Sequence, residues 1–322
     1  MHDIQVKRHI DKDDLSALKE LLVAASEADA HPPLGEHAWL DLVQGGREGF
    51  AGLVAWEPGH PHPVGYAQVN RGSHGPAHGG AGQGARAGLS WALEIVVDPH
   101  HRTPGNTVAT DLVRSATELI AAEGGGHLHL WVNQPGPFHD RMAALAGLSP
   151  GRALYQMRRP LPLGEHAQVE TRPFRVGEDE AAWLEVNNRA FAWHPEQGGW
   201  TLATLLAREE QGWFDPEGFL LYERGGRLAG SCWTKVHRSE AGPVGEIYVV
   251  AVDPDFSGQG LGRQLTMAGL DHLAAVGIGQ AMLYVDATNK RAVRLYVELG
   301  FTVNHIDRAY TGDIAPARQA NS

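Results

Sequence analysis

The chain has a single cysteine, Cys232, among 322 residues. This excludes an intramolecular disulfide framework and a cysteine zinc knuckle, and it fits a reducing cytoplasm. No apolar run approaches the roughly 18–20 residues that span a bilayer, so no membrane partner is expected. The opening Met1-His2-Asp3-Ile4-Gln5 lacks the basic-then-apolar order of a secretory leader, and none is expected. Basic charge is also scarce: 27 Lys and Arg against 38 Asp and Glu give a formal net charge of -11. Nucleic-acid binding needs clustered cations to neutralise phosphate, so that class of partner is not expected either. An anionic cofactor held by backbone amides stays open. The apolar content, 43%, is enough to bury real cores, and the length suggests two domains.

A repeat supports that count. Residues 89–99 (LSWALEIVVDP) resemble 244–254 (VGEIYVVAVDP). Each is an apolar strand ending in Val-Asp-Pro, followed by a Gly-containing loop and a helical run, 107–122 in the first copy and 261–275 in the second. Each helix leads to another strand, 127–133 (HLHLWVN) or 281–286 (AMLYVD), and then to a short helix ending at Gly, 138–147 or 289–300. The offset of about 155 residues is too long for a solenoid. Upstream, strands are expected at 5–10 and 169–175, helices at 13–28 and 179–191, and strand pairs at 49–56 with 64–70 and 218–223 with 227–236. The resulting division is a domain over 1–160, a linker over 161–168 (LPLGEHAQ), a second domain over 169–311 and a disordered tail over 312–322. The Gly/Ala/His-rich stretch 72–88 reads as a mobile insert. Its two histidines preorganise nothing, so no metal is expected.

The strongest local signal is 249–263 (VVAVDPDFSGQGLGR). A strand enters a Gly-rich loop that opens a helix. Several backbone N–H groups then lack intrahelical acceptors, and the helix dipole adds positive charge at the same spot. That is a phosphate or pyrophosphate site, and glycine lets the backbone approach the anion. The loop is neither a Walker loop, which needs a lysine, nor a dinucleotide fingerprint, since Asp253-Pro254-Asp255-Phe256 separates it from the strand.

The loop resembles the coenzyme A loop of the GCN5-related N-acetyltransferases, with Ser257 where that family usually has Gln or Arg. Residues 283–301 (LYVDATNKRAVRLYVELGF) resemble the family's closing strand and helix. The resemblance implies an α/β fold with a mixed α+β sheet, here as two tandem acetyltransferase domains, and acetyl-CoA as co-substrate. Cofactor contacts are carried to Val250, Ala251 and Val252 on the strand. They continue through Ser257, Gly258, Gln259, Gly260, Leu261, Gly262 and Arg263 in the loop and first turn. Asn289, Lys290, Arg291, Ala292, Val293 and Arg294 follow at the closing helix. Glu246, on the strand, is expected to take the proton of the attacking amine. Tyr296 is expected to protonate the departing thiolate. Aligning the copies places Trp91 opposite Glu246 and Ala143 opposite Tyr296, so the first copy lacks both groups. A possible second cofactor site comprises Ile95, Val96, Val97, Thr103, Pro104, Gly105, Asn106, Thr107 and Val108, where Pro104 removes an amide donor.

The stretches 186–200 (VNNRAFAWHPEQGGW), 213–221 (WFDPEGFLL) and 245–254 resemble a tandem-domain branch of the family. That branch acetylates the cysteine amine of cysteinyl-glucosaminyl-inositol by direct transfer. The likeness implies acceptor contacts at Glu36, Glu196, Lys235, Glu246 and Tyr284, and a monomer acting on a small molecule in the cytoplasm. Cys232 reads as core packing rather than a covalent relay. Two alternatives stand beside this reading: the same fold acting on an aminoglycoside, polyamine or protein N-terminus, and a non-catalytic acyl-CoA-binding regulator.

Overall fold

Each half of the chain wraps helices around a mixed sheet. The computed structural model describes residues 2–29, 32–72, 89–103, 105–192, 198–238 and 242–317. These divide into two units. Unit one takes the described residues up to 72, then 89–153 and 307–317, and unit two takes those from 154 to 306. The insert expected at 72–88 lies, beyond Gly72, outside the described residues.

Unit one opens with β1 (Asp3–Lys7), α1 (Lys12–Asp29) and α2 (Glu36–Val43). The pair β2 (Phe50–Trp56) and β3 (Gly65–Arg71) follows, then β4 (Ser90–Val97), α3 (Val108–Ala122), β5 (Gly126–Val132) and α4 (Pro137–Leu145). From there β6 (Ser149–Pro160) leads into unit two. Unit two continues with β7 (Arg172–Pro173), α5 (Glu180–Ala190), α6 (Leu202–Glu209), β8 (Phe219–Arg224) and β9 (Arg227–His237). It then has β10 (Val244–Val252), α7 (Leu261–Ala275), β11 (Gln280–Asp286), α8 (Lys290–Glu298) and the start of β12 (Thr302–Ile314). The strand order is β1-β2-β3-β4-β5-β12 in unit one and β7-β8-β9-β10-β11-β6 in unit two. In each order the fourth and fifth strands, β4 with β5 and β10 with β11, run parallel. The repeat read from sequence is thus a repeat of strand order.

The closing strand of each unit comes from the other half of the chain. Residues 308–314 of β12 pair antiparallel with β5, and residues 154–160 of β6 pair antiparallel with β11. Tyr310 is buried in the core of unit one, its hydroxyl donating to Asp140 at 2.7 Å, while Met157 is buried in the core of unit two. This arrangement alters two sequence-based boundaries. Because β6 already belongs to unit two from Leu154, residues 161–168 connect two strands of that unit, and Leu161, Leu163 and Ala167 pack against its core. The tail expected to be disordered from 312 stays in β12 through Ile314, because β5 supplies the pairing partners Leu128, His127 and Gly126.

Local chemistry explains the other shifts. The strand expected at 169–175 shortens to Arg172–Pro173, because Pro173 has no N–H to donate and Arg172 is drawn to Asp179 at 2.6 and 2.8 Å and to Glu223. The first strand spans Asp3–Lys7 rather than 5–10, and Ile10 turns into the core with its N–H on the Gly45 carbonyl. In unit two, α7 buries Leu261, Leu265, Leu270 and Leu273 against the sheet. Gly269 permits the close approach: a Cβ there would meet Cys232 Sγ at 2.4 Å.

A chain ending at Ile306 removes the strand that closes unit one while keeping every residue of unit two. Limited proteolysis of that truncation should cut first within residues 2–153, although the deletion is at the opposite end of the sequence. First cuts within 154–306 would contradict the exchanged-strand assignment.

Candidate active site

The parallel partners β10 and β11 stay together only briefly. They pair at Gly245–Ala281, Glu246–Met282 and Ile247–Leu283, and beyond that neither pairs with the other. Along its opposite edge β10 remains paired with β9 through Val252. The register shifts between Ile247 and Val249, a bulge at Tyr248. A bulge places two successive side chains on one side of a sheet. Here Tyr248 and Val249 both join the aromatic cluster of Trp183, Trp213, Phe219 and Trp233, whereas Ile247 and Val250 lie on the α7 side. The result is a slot between β10 and β11, with the α7 core on one face and the tryptophans on the other.

The slot leads toward the Gly-rich loop. Asp253 is 2% exposed and caps the turn after β10 by accepting the Asp255 N–H at 2.9 Å. Arg189 holds Asp253 at 2.9 Å and Asp255 at 3.1 Å, and Arg227 holds Asp255 at 2.8 Å. Ser257, the departure from the family pattern, donates its hydroxyl to the Pro254 carbonyl at 2.9 Å and helps close the turn. Gly258 and Gly260 have φ of 80° and 76°, which only glycine adopts without strain. A Cβ at either would meet nothing within 4 Å. Gly260 is the N-cap of α7; among the described residues no side chain caps this helix, and no acidic residue lies in its first turn. The first-turn N–H groups and the dipole therefore face the open space beside Gly258 and Gly260, which fits a pyrophosphate. Arg224 donates to Gln259 Oε1 at 2.6 Å and brings a cation to the rim, while Arg263 pairs with Glu165. At α8, Asn289 caps the helix by accepting the Ala292 N–H at 3.1 Å. Ala292 and Val293 pack on the core, and Lys290, Arg291 and Arg294 are exposed with no ion pair among the described residues.

The corresponding loop in unit one is chemically different. Asn106 accepts the Val108 N–H at 2.9 Å, which occupies a first-turn amide of α3. Asp111 places a carboxylate in that turn. Burial would raise its pKa, but hydrogen bonds from His2, Thr107 and Arg114 outweigh this and lower it to about 2. Arg102 is held by Asp29 and the Val97 carbonyl. Gly105 is open with φ of 91°, and a cleft of about 370 Å³ lies beside it, lined by Arg102, Thr103, Phe138 and Arg141. Val96 is buried, and Ile95 and Val97 are half-buried on β4. Pro104 lies outside the described residues. Trp91, opposite Glu246 in the repeat, is core and donates to the Gly125 carbonyl at 3.0 Å; Ala143 is core as well.

Three of the expected acceptor residues share the tryptophan-side face. Lys235 and Glu246 are register partners, so they point the same way. Tyr284 follows Met282, the partner of Glu246 on β11, at a two-residue interval. Glu246 is 7% exposed and its Oε2 lies 2.6 Å from His237 Nε2. The Lys235 ammonium sits 4.2 Å from the Trp213 ring centre and 5.3 Å from that of Tyr248. Tyr248 accepts from buried Arg208 at 2.9 Å, and Tyr284 accepts from Gln156 at 2.8 Å. Sequence reasoning missed His237, Trp213 and Tyr248 as site residues. Only the alternation out from Glu246 along β10, Glu246-Ile247-Tyr248, carried a signal. Glu36 lies in unit one, in the first turn of α2, and Glu196 lies outside the described residues.

Tyr296 packs from α8 onto the α7-side core, its ring 5.9 Å from that of Phe301. Burial, and then the Cys232 thiol, push its hydroxyl above the ordinary phenol range, so it is protonated at neutral pH. Cys232 is fully buried and its thiol is pushed up to about 12 by burial, too high for a thiolate nucleophile near neutrality.

A buried carboxylate on a splayed parallel strand, leading to an uncapped glycine cradle, defines an acyl-CoA-dependent acyltransferase fold. The model of the acetyltransferase (GNAT) family matches residues 182–301. Among solved structures, a GCN5-related N-acetyltransferase from Sphaerobacter thermophilus superposes with a TM-score of 0.64 at 23% identity, covering 98% of each chain. A tandem GNAT protein from the clavulanic acid biosynthesis pathway gives 0.65 at 15% identity, covering 98% of this chain and all of that one. Curated relatives are more specific. The mycothiol acetyltransferase of Acidimicrobium ferrooxidans is 44% identical over 91% of this chain and 92% of its own. That of Nocardia farcinica is 40% identical over 97% and 99%. The chain belongs to the mycothiol acetyltransferase family.

Gly260→Asp adds a Cβ at positive φ and a negative charge in the cradle. Isothermal titration should show acetyl-CoA binding in unit two abolished while the melting temperature changes little; unchanged affinity would refute the cradle assignment.

Proposed function

We propose that the chain transfers acetyl directly from acetyl-CoA to the cysteine amine of cysteinyl-glucosaminyl-inositol, with Glu246 as base and Tyr296 as acid. It is an acetyl-CoA-dependent N-acetyltransferase of mycothiol biosynthesis, as its family is. The observation that carries the residue assignments is Glu246: a nearly buried carboxylate, held by His237, on the strand that runs into the cradle.

Acetyl-CoA supplies the activated thioester. The fit of the cradle rests on the open space at Gly258 and Gly260 and on the uncapped first turn of α7. Gly258, Gln259, Gly260, Leu261 and Gly262 hold the pyrophosphate by backbone amides, with Lys290, Arg291 and Arg294 available to its outlying phosphate. The edge of β10 beyond Ile247 offers main-chain hydrogen bonds along the slot, and an N–H near Val250–Val252 polarises the acyl carbonyl. On the tryptophan face Glu246 accepts the proton of the attacking amine, and His237 fixes the orientation of its carboxylate. That amine is next to an amide carbonyl and less basic than a lysine amine, so the task is modest. On the α7 face Tyr296, kept protonated by burial, donates to the sulfur as it leaves. Trp213, Tyr248 and Tyr284 give the sugar and polyol amphipathic surfaces, and Lys235 gives their hydroxyls a donor. Unit one, with its cradle amide occupied and Asp111 beside it, lacks both acid and base. Its cofactor loop is a secondary site at most. Among the described residues, no helix is long and apolar enough to cross a membrane.

Glu246→Gln and Tyr296→Phe should each lower kcat by about 10²- to 10⁴-fold with little loss of acetyl-CoA affinity. His237→Gln should lower kcat less and alter the pH-rate profile, as a positioning role requires. Normal turnover in both Glu246→Gln and Tyr296→Phe would remove the acid–base assignment.

A thiol-release assay comparing cysteinyl-glucosaminyl-inositol, an aminoglycoside and a peptide amine tests the acceptor. Release with the first alone is expected. Release only with the others would discard the acceptor and leave the Glu246 and Tyr296 chemistry standing.

A further inference from the structure

Unit one holds a cluster that the acetyl-transfer chemistry does not use. Two turns meet there: Gly59-His60-Pro61-His62-Pro63, between β2 and β3, and Asp98-Pro99-His100-His101, after β4. Among the described residues, His60, Asp98 and His101 are the one group of three whose ligand atoms all lie within 4.8 Å of one another. The His60 ring lies 4.5 Å from that of His62 and 5.2 Å from that of His101.

The hydrogen bonds settle which ring nitrogens are available. His60 Nδ1 is 2.8 Å from the His62 carbonyl, and His62 Nδ1 is 3.0 Å from the Pro63 carbonyl. A carbonyl only accepts, so both Nδ1 atoms donate, which in the neutral ring leaves each Nε2 its lone pair. Metal-binding imidazoles are oriented in this way. His101 is turned the other way round. Its Nε2 is 2.6 Å from Glu57 Oε2, and its Nδ1 is 3.2 Å from Asp98 Oδ1. Carboxylate–histidine–metal chains have this order, with Glu57 as the outer carboxylate. Ligands about 2.0–2.1 Å from a tetrahedral cation stand about 3.3 Å apart, close to the His101–Asp98 separation. Asp98 is 1% exposed, and its other oxygen is 3.8 Å from His62 Nε2. Pro61, Pro63 and Pro99 restrict the backbone of both turns, so the donors are held by rigid chain.

We propose that His60, Asp98 and His101 bind one zinc-type divalent cation, with Glu57 orienting His101 and His62 or water completing the shell. Two imidazoles and a carboxylate suit zinc or its first-row neighbours and not magnesium or calcium. The cation takes the place of the proton between His101 and Asp98 and ties the β2–β3 turn to the turn preceding α3. This departs from the expectation of no metal. That expectation considered cysteine scarcity and the two histidines of the 72–88 insert, whereas these ligands come from two turns that meet only on folding.

The test uses the full chain, without a polyhistidine tag and stripped with chelator. Calorimetric titration should give one Zn²⁺ per chain, no response to Mg²⁺, and with Co²⁺ the intense visible absorption of a tetrahedral site. Zn²⁺ should also raise the melting temperature. His60→Gln combined with His101→Gln should abolish binding and the thermal shift, and Glu57→Ala should weaken binding by about 10- to 100-fold. His74→Gln with His78→Gln should leave it intact. Circular dichroism of the apo variants, matched to apo wild type, separates lost ligands from lost fold. Zn²⁺ binding no tighter than Mg²⁺, survival in the His60/His101 double variant, or loss in the His74/His78 variant would each overturn the proposal.

Discussion

Two parallel strands that share hydrogen bonds for three residues and then part impose a requirement on everything around them. Main-chain donors and acceptors inside a protein must be paired. Beyond Ile247 one edge of β10 cannot be satisfied by β11, and at the end of the same strand the first turn of α7 has no side-chain cap. Both demands point into one groove, and a ligand with an amide-bearing arm and a pyrophosphate answers both. The bulge at Tyr248 is part of the same solution. It lets β10 keep its bonds to β9 while bending away from β11, and it puts Val249 beside Tyr248 on the face where Glu246 lies. The buried Asp253, clamped by Arg189, fixes the exit of the strand so that the loop begins at a defined place.

The two units show how little is needed to alter such a groove. Both have the parallel pair, the Asp-Pro turn and a glycine at positive φ in the loop. In unit one an asparagine side chain takes an amide of the helix start and an aspartate adds charge of the wrong sign for a phosphate. Trp91 fills the position that Glu246 holds in unit two with a core indole. The architecture is retained, and the two loops differ through a few side chains.

What the sequence disclosed follows from the range of the interactions involved. The glycine cradle is local: Gly258, Gly260 and α7 are neighbours in the chain, and α7 spans the residues its pattern predicts, 261–275. The repeat was legible because strand order reproduces itself in sequence. Glu246 and Tyr296 were singled out through family resemblance and through comparison of the copies. The partners of Glu246 were not, because His237 reaches it only through the register of β9 against β10, and that register is shifted by a bulge no periodicity announces. The exchanged strands were missed for a similar reason. Residues 154–160 were counted with the first domain, 308–311 with the second and 312–314 with the tail, whereas the strands they pair with are more than a hundred residues away.

That exchange bears on how the chain can be made. A ribosome delivers residues 1–153 long before 307–317, so the earlier-made unit waits with one edge of β5 uncovered until β12 has emerged. An uncovered edge strand is an invitation to pair with another chain. Nascent protein thus has a window in which the N-terminal unit is open to association with its neighbours, and the speed with which β12 is released and docks decides how long that window lasts.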